Sequence, residues 1–151
     1  MKQIIIFTLD GTNYCLSVDE IFEIINYSQT SKVPESPEFV EGLINLRGSV
    51  FAIICLKKFF NPNPIKVSKQ QNTTILKESK IIILNSTKDN LGIIVDEVKE
   101  ILKINEDDID VRKEKLVNHD NKHISGIIEL NGEKIYQINL DSIFSKNKTV
   151  I

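Results

Sequence analysis

Apolar and polar positions along the chain fall into short runs separated by turn residues. Ile4-Ile5-Ile6-Phe7-Thr8-Leu9 is rich in β-branched residues and is closed by Asp10-Gly11, which reads as a buried strand entering a tight turn. Tyr14 to Val18 returns as a second strand, so the chain opens with a hairpin. Val18, Ile21 and Ile25 fit helical spacing, whereas Ile24-Ile25 suits a strand; one helical turn followed by a strand is expected. Pro34 and Pro37 oppose a regular helix through the next connector. Ser36 can still cap a short one, with Pro37 at its first position and Phe39-Val40 on its buried side. A second hairpin follows around Arg47-Gly48, and Lys57-Lys58-Phe59-Phe60 closes it as a short helical turn. Residues 61–79, rich in Lys and Asn with Pro62 and Pro64, read as an exposed loop.

The second half repeats this order. Lys80-Ile81-Ile82-Ile83-Leu84 aligns with Gln3-Ile4-Ile5-Ile6-Phe7, and Val95 to Leu102 aligns with Val18 to Ile25, both 77 positions further along. Gly126 to Gly132 aligns with Gly42 to Gly48 at 84 positions, because the connector from Lys103 to Ser125 is longer. Ile138, Leu140 and Phe144 then match Ile54, Leu56 and Phe60. Blocks that recur in order, with one change of length, mark a tandem repeat. Each half supplies about five short strands, too few to bury two faces as an open sheet, so each set is expected to close into a small barrel. The fold class is therefore all-β with a few short helices, in two barrels sharing a core.

Composition narrows the function more than the fold. The 151 residues fit one domain or two small subdomains. A net charge of −2 gives no electrostatic case for nucleic acid or an anionic membrane. No apolar run approaches the ~20 residues of a membrane span, and Met1-Lys2-Gln3 leads straight into a strand, so neither direct membrane contact nor a signal peptide is expected. Cys15 and Cys55 sit inside apolar runs and read as buried, reduced thiols of a cytoplasmic protein, with a disulfide or a metal as the alternative. His119 and His123 are four apart in a polar stretch without the further ligands that a metal site needs. Glu106-Asp107-Asp108 and Asp110 suit a helix N-terminus or a solvated loop, with weak Ca²⁺ binding as the alternative. The chain has no Gly-rich phosphate loop, no Gly-x-Ser-x-Gly and no Cys/His pair at useful spacing. Neither an enzyme nor a cofactor is expected.

Arg47 is the leading candidate for function. Of 19 basic residues only Arg47 and Arg112 are arginine, and a planar guanidinium makes bidentate bonds that lysine cannot copy. Its counterpart in the repeat is Asn131, which suits a type I′ turn, so the fold asks only for a turn-competent residue there. Two roles fit: a contact to a partner, or an internal bond tying the hairpin to the neighbouring barrel. Gly42, Gly48, Gly126 and Gly132 are accounted for by backbone conformation or close approach.

Val33-Pro34…Pro37…Val40-Glu41-Gly42-Leu43-Ile44-Asn45-Leu46-Arg47-Gly48 resembles the signature of the CheW family of bacterial chemotaxis coupling proteins. Leu91 to Val98 resembles its second-half block, and Ile124 to Ile127 with Ile138-Asn139-Leu140 its closing hairpin. The resemblance runs from Gln3 to about Phe144. It implies a single domain over 1–151 made of two intertwined five-stranded SH3-like β-barrels, the first from 14–79 and the second from 1–13 with 80–144. It also implies a non-catalytic adaptor that links chemoreceptor cytoplasmic tips to the regulatory domain of the histidine kinase CheA. Gly42, Ile21 and Glu23 fall in positions that the resemblance assigns to partner contact, with Asn45 beside Arg47; Lys80 and Ile101 match second-half positions of the same kind. The chain departs from the family pattern at Ala52 and Cys55, where Pro and Asp are frequent, and in the long stretch 61–80.

Two further functions compete with coupling. One is a structural paralogue that builds arrays or rings through edge strands, binding the kinase domain or itself without a receptor. The other is a small-molecule or metal sensor using a groove between the halves. Self-association without receptor affinity marks the first, and ligand-induced thermal stabilisation marks the second.

Overall fold

In the computed structural model, residues 1–60, 78–85, 89–111 and 123–147 are described, with side chains through Ile143. The chain is mostly β. Its strands are β1 (Lys2–Leu9), β2 (Thr12–Ser17), β3 (Ile21–Asn26), β4 (Val40–Leu46), β5 (Ser49–Cys55), β6 (Lys80–Leu84), β7 (Leu91–Val95), β8 (Glu97–Ile104), β9 (Ile109–Asp110), β10 (Ile124–Leu130) and β11 (Glu133–Ile138). Two short helices, α1 (Leu56–Phe60) and α2 (Leu140–Asn147), follow β5 and β11. The expected helical turn before β3 is a single 3-10 turn, Val18–Glu20.

The strands form two sheets, ordered β8-β1-β2-β11-β10-β9 and β3-β6-β7-β5-β4. The repeat maps one order onto the other strand for strand, since β8, β1, β2, β11 and β10 correspond to β3, β6, β7, β5 and β4. The register agrees as well. Ile4 faces Ser17 and Ile81 faces Ile94; Gly42 faces Ile53 and Gly126 faces Gln137; Ile53 faces Gly92 and Gln137 faces Cys15 across parallel pairs. Even the bulges recur, between Val40 and Gly42 and between Ile124 and Gly126. In each sheet the opening hairpin comes from the other half of the chain.

This topology divides the chain into two compact units, Met1–Val18 with Lys99–Ile151, and Asp19–Val98. The division differs from the expected 14–79 and 1–13 with 80–144. A two-residue turn holds β1 and β2 together, with six successive pairs from Ile4–Ser17 to Leu9–Thr12, so the hairpin cannot be split at Asn13. β6 and β7 likewise pair with each other and bridge β3 to β5.

Each unit has its own apolar core. Ile4, Ile6, Cys15, Ile104, Ile128 and Ile135 pack together in the terminal unit; Ile44, Ile53, Ile81, Ile83 and Ile94 do so in the central one. Removing each such side chain from water contributes about 1.5–3 kcal/mol, so these positions, rather than the polar faces, set the register. Leaving its edge strand, the chain crosses to the opposite edge in both units. Ser31 exchanges backbone bonds with Leu43 of β4, and β9 pairs with β10 at Ile109–Ile128 and Asp110–Ile127. In each unit one connector thus runs from one edge of the sheet to the other.

The connector before β4 contains turns in place of the expected capped helix. The Ser36 hydroxyl donates to the Val33 carbonyl at 2.8 Å, a local bond that competes with capping. Pro34 and Glu35, the latter at φ 63°, occupy the centre of a turn of type II character. Val40 N–H then bonds the Pro37 carbonyl, and Cys55 N–H takes the Phe39 carbonyl, drawing the chain into β4. Phe39 packs edge-on against Phe59, centroids 5.1 Å apart. Nearly all of the expected loop 61–79 lies outside the described residues.

Candidate functional site

Three two-residue hairpin turns, Asp10-Gly11, Arg47-Gly48 and Asn131-Gly132, share one backbone geometry. Their first residues have φ of 49°, 51° and 53°, and their glycines 80°, 88° and 80°. Both central residues of a type I′ turn need positive φ, which Asn, Asp and Gly tolerate best. Arg47 is the exception. Holding an ordinary L-residue in the left-handed region costs about 1 kcal/mol, and among the described residues one side-chain contact offsets it.

That contact is an ion pair in which the Arg47 guanidinium donates to the Glu23 carboxylate. β3 and β4 are opposite edges of the central sheet, so the pair spans the two edges where the sheet closes. It is a tie within one unit and not the expected tie to a neighbouring barrel. The Arg47 side chain remains 64% exposed and that of Glu23 26%. A pair this exposed contributes about 0.5 kcal/mol after solvent screening, less than the backbone cost. Internal stability therefore does not account for arginine at this turn.

The other expected site residues separate into groups. Asn45 is exposed and its Oδ1 accepts the Gly48 N–H at 3.0 Å, so it braces the turn that presents Arg47. Ile21 is half-buried at the start of β3, next to a register shift between Ile21 and Glu23. Lys80 lies opposite Asn26 and donates to its Oδ1 at 2.5 Å, at the far end of β3 from Glu23. Gly42 lies five positions before Arg47, about 16 Å away by strand rise. Its φ is 153°, and an added Cβ would stand 2.6 Å from the Ser31 carbonyl oxygen; close approach explains this glycine. Ile101 belongs to β8 and is 57% exposed.

The remaining candidate chemistry is occupied by the fold. Cys15 and Cys55 are both buried and unbridged, and burial pushes the Cys55 thiol up, with a nearby Lys58 backbone bond opposing. His123 is buried, its ring Nδ1 2.8 Å from the Ser142 hydroxyl at the start of α2; His119 lies outside the described residues. The carboxylates Glu106–Asp108 form a 3-10 turn with a capping box from Asn105 and Asp108. Among the described residues no group of three or more His, Cys, Asp or Glu is arranged to hold a metal ion, and no helix is long and apolar enough to cross a membrane.

The family model for the CheW-like domain matches residues 3–148. The chain belongs to the CheW-like family. It is 30% identical over 145 residues to the chemotaxis protein CheW of Thermotoga maritima, covering 95% of this chain and 88% of the relative. It is 25% identical over 150 residues to that of Klebsiella aerogenes, covering 99% and 86%. Among solved structures, the scaffolding protein TtCheW from Thermoanaerobacter tengcongensis superposes with a TM-score of 0.79 at 32% identity, covering 92% of this chain and 84% of that one. The whole double-sheet unit, not a fragment of it, is thus what the family shares.

Sequence reasoning missed Phe22. It stands beside Ile21 between two glutamates, Glu20 and Glu23, and is 62% exposed. The signal that could have found it is the repeat, in which Lys99 holds the equivalent position.

Proposed function

We propose that this chain is a non-catalytic chemotaxis adaptor that couples chemoreceptor tips to the regulatory domain of the histidine kinase CheA. The observation that carries this reading is Arg47, an exposed guanidinium held in an unfavourable turn conformation that the repeat fills with Asn131. Membership of the CheW-like family supports partners within a chemotaxis signalling array. Glu23 orients the guanidinium at the rim of the central sheet, and Asn45 holds the turn. The planar fork then meets a carboxylate or carbonyl on the receptor tip. Lys80, Ile21 and the exposed Ile101 of β8 complete the contact surfaces, whereas Gly42 is buried against Ser31 and serves the fold. Signal passes by geometry: holding two partners at once raises their effective concentration for each other, and no bond is made or broken. Acting on the cytoplasmic tips of receptors, the protein works in the cytoplasm.

Titrating the full chain with a receptor-tip fragment and, separately, with the kinase regulatory domain tests this reading. Saturable binding to both is expected. Binding to neither refutes it, whereas self-association with kinase binding and no receptor binding marks a ring-forming paralogue.

A further inference from the structure

The two units lead into their short helices by the same backbone bond and then hold those helices differently. Ahead of α1, Cys55 N–H bonds the Phe39 carbonyl at 2.7 Å; ahead of α2, Asn139 N–H bonds the His123 carbonyl at 2.8 Å. The repeat offset of 84 carries Phe39 onto His123 and Phe59 onto Ile143. In the central unit the Phe39 ring seats α1 by packing edge-on against Phe59. In the terminal unit the equivalent ring is an imidazole, only 2% exposed, and it meets α2 through a hydrogen bond to Ser142.

The protons of this bond follow from its neighbours. The Ser142 hydroxyl donates its one proton to the Asn139 carbonyl at 2.7 Å. Across the 2.8 Å contact with Ser142 Oγ it is therefore His123 Nδ1 that donates. A further proton must enter at Nε2 and make the ring a cation. Ser142 lies in the first turn of α2, where Asp141 N–H bonds the Asn139 side-chain oxygen at 3.1 Å, and the start of a helix carries partial positive charge. Burial likewise disfavours a charged ring. The described elements that meet at His123 are β10, β11 and α2. The first two bring Ile124 and Ile138 there, and α2 brings Leu140 and Ile143, all four buried. The charged group they add is Asp141, which is exposed, so water screens its attraction for an imidazolium.

We infer that His123 is a pH-sensitive fastening of α2, firm while the imidazole is neutral and loosened once it is charged. A histidine in water takes up its proton near pH ~6.5. Below that value the ring beside a detached α2 binds the proton more readily than the buried ring does, so acid favours detachment. Above it the seat is fully held. Phe39 does not titrate, which makes α1 an internal control. The inference stands whether or not the chain couples receptors.

Hydrogen exchange on the full chain tests it, with rates corrected for the intrinsic pH dependence of amide exchange. From pH ~7.5 to ~5.5, protection of α2 relative to α1 should fall at least about fivefold. The fall should vanish in His123→Phe, which installs the residue of the central unit. It should also vanish in His123→Gln, which keeps an N–H donor and cannot titrate. The glutamine variant decides where the larger phenylalanine does not fit. A constant ratio in the parent overturns the inference. An equal fall in His123→Gln assigns the effect to another group and overturns it as well.

Discussion

The central and terminal units are built from the same five strands in the same register, yet their surfaces have diverged. Inside, the positions match: Ile4 and Ile6 of one core correspond to Ile81 and Ile83 of the other, and Ile128 to Ile44. At the hairpin tip they part, with Asn131 where the backbone wants it and Arg47 where it does not. Residues that both units keep answer to packing. Those that only one unit has are available to function, Arg47 first among them.

The largest expected effect falls where the units share a bulge but differ in what approaches it. Gly42→Ala forces a side chain onto a backbone at φ 153° and against the Ser31 carbonyl, and should cost about 3 kcal/mol in chemical denaturation. Gly126→Ala places its Cβ 2.5 Å from Ile109 Cγ2, a side-chain atom that can shift, and should cost about 1–2 kcal/mol. Equal losses would mean that the two bulges are equivalent in energy as well as in register.

A smaller effect concerns the buried thiol of the central unit. Burial raises the Cys55 pKa in the folded state, so above pH ~8.5, where an exposed thiol ionises, the unfolded chain gives up a proton that the folded chain keeps. Stability must then fall as pH rises through that range. Denaturation midpoints between pH 7 and 9.5 should decline, and Cys55→Ala should remove part of the slope. A slope identical in the variant contradicts this.

Much of the fold was legible in the sequence because its signals are local. Two-residue turns ending in glycine, runs of isoleucine, and a repeat at a constant offset follow from backbone conformation and burial along one stretch of chain. Assigning each hairpin to its sheet was not legible. The parallel contacts of β2 with β11 and of β5 with β7 join distant segments, and the pattern within one strand does not name its partner. The helix expected after Ser36 is replaced by a turn over Pro34–Glu35, in which both the N–H and the hydroxyl of Ser36 donate back to the Val33 carbonyl. At the site, Arg47 stood out by its type and its turn, but its partner did not. Glu23 lies 24 residues away on the opposite edge of the sheet, and only closure brings it into reach. Phe22 went unremarked because its exposure comes from a bulge on an edge strand, and in the sequence only the comparison with Lys99 in the repeat points to it.

The smallest effect on stability is expected from the change that bears most on function. Arg47→Asn installs the residue that the terminal unit uses at the same turn. It removes a mostly exposed ion pair and relieves an unfavourable φ, so the melting temperature should stay within about 4 °C or rise. Measured by titration alongside that melt, affinity for the receptor tip should fall at least about tenfold. A melting temperature lower by about 8 °C or more, with receptor-tip affinity intact, would show that Arg47 serves to close the sheet and would contradict its role as a contact.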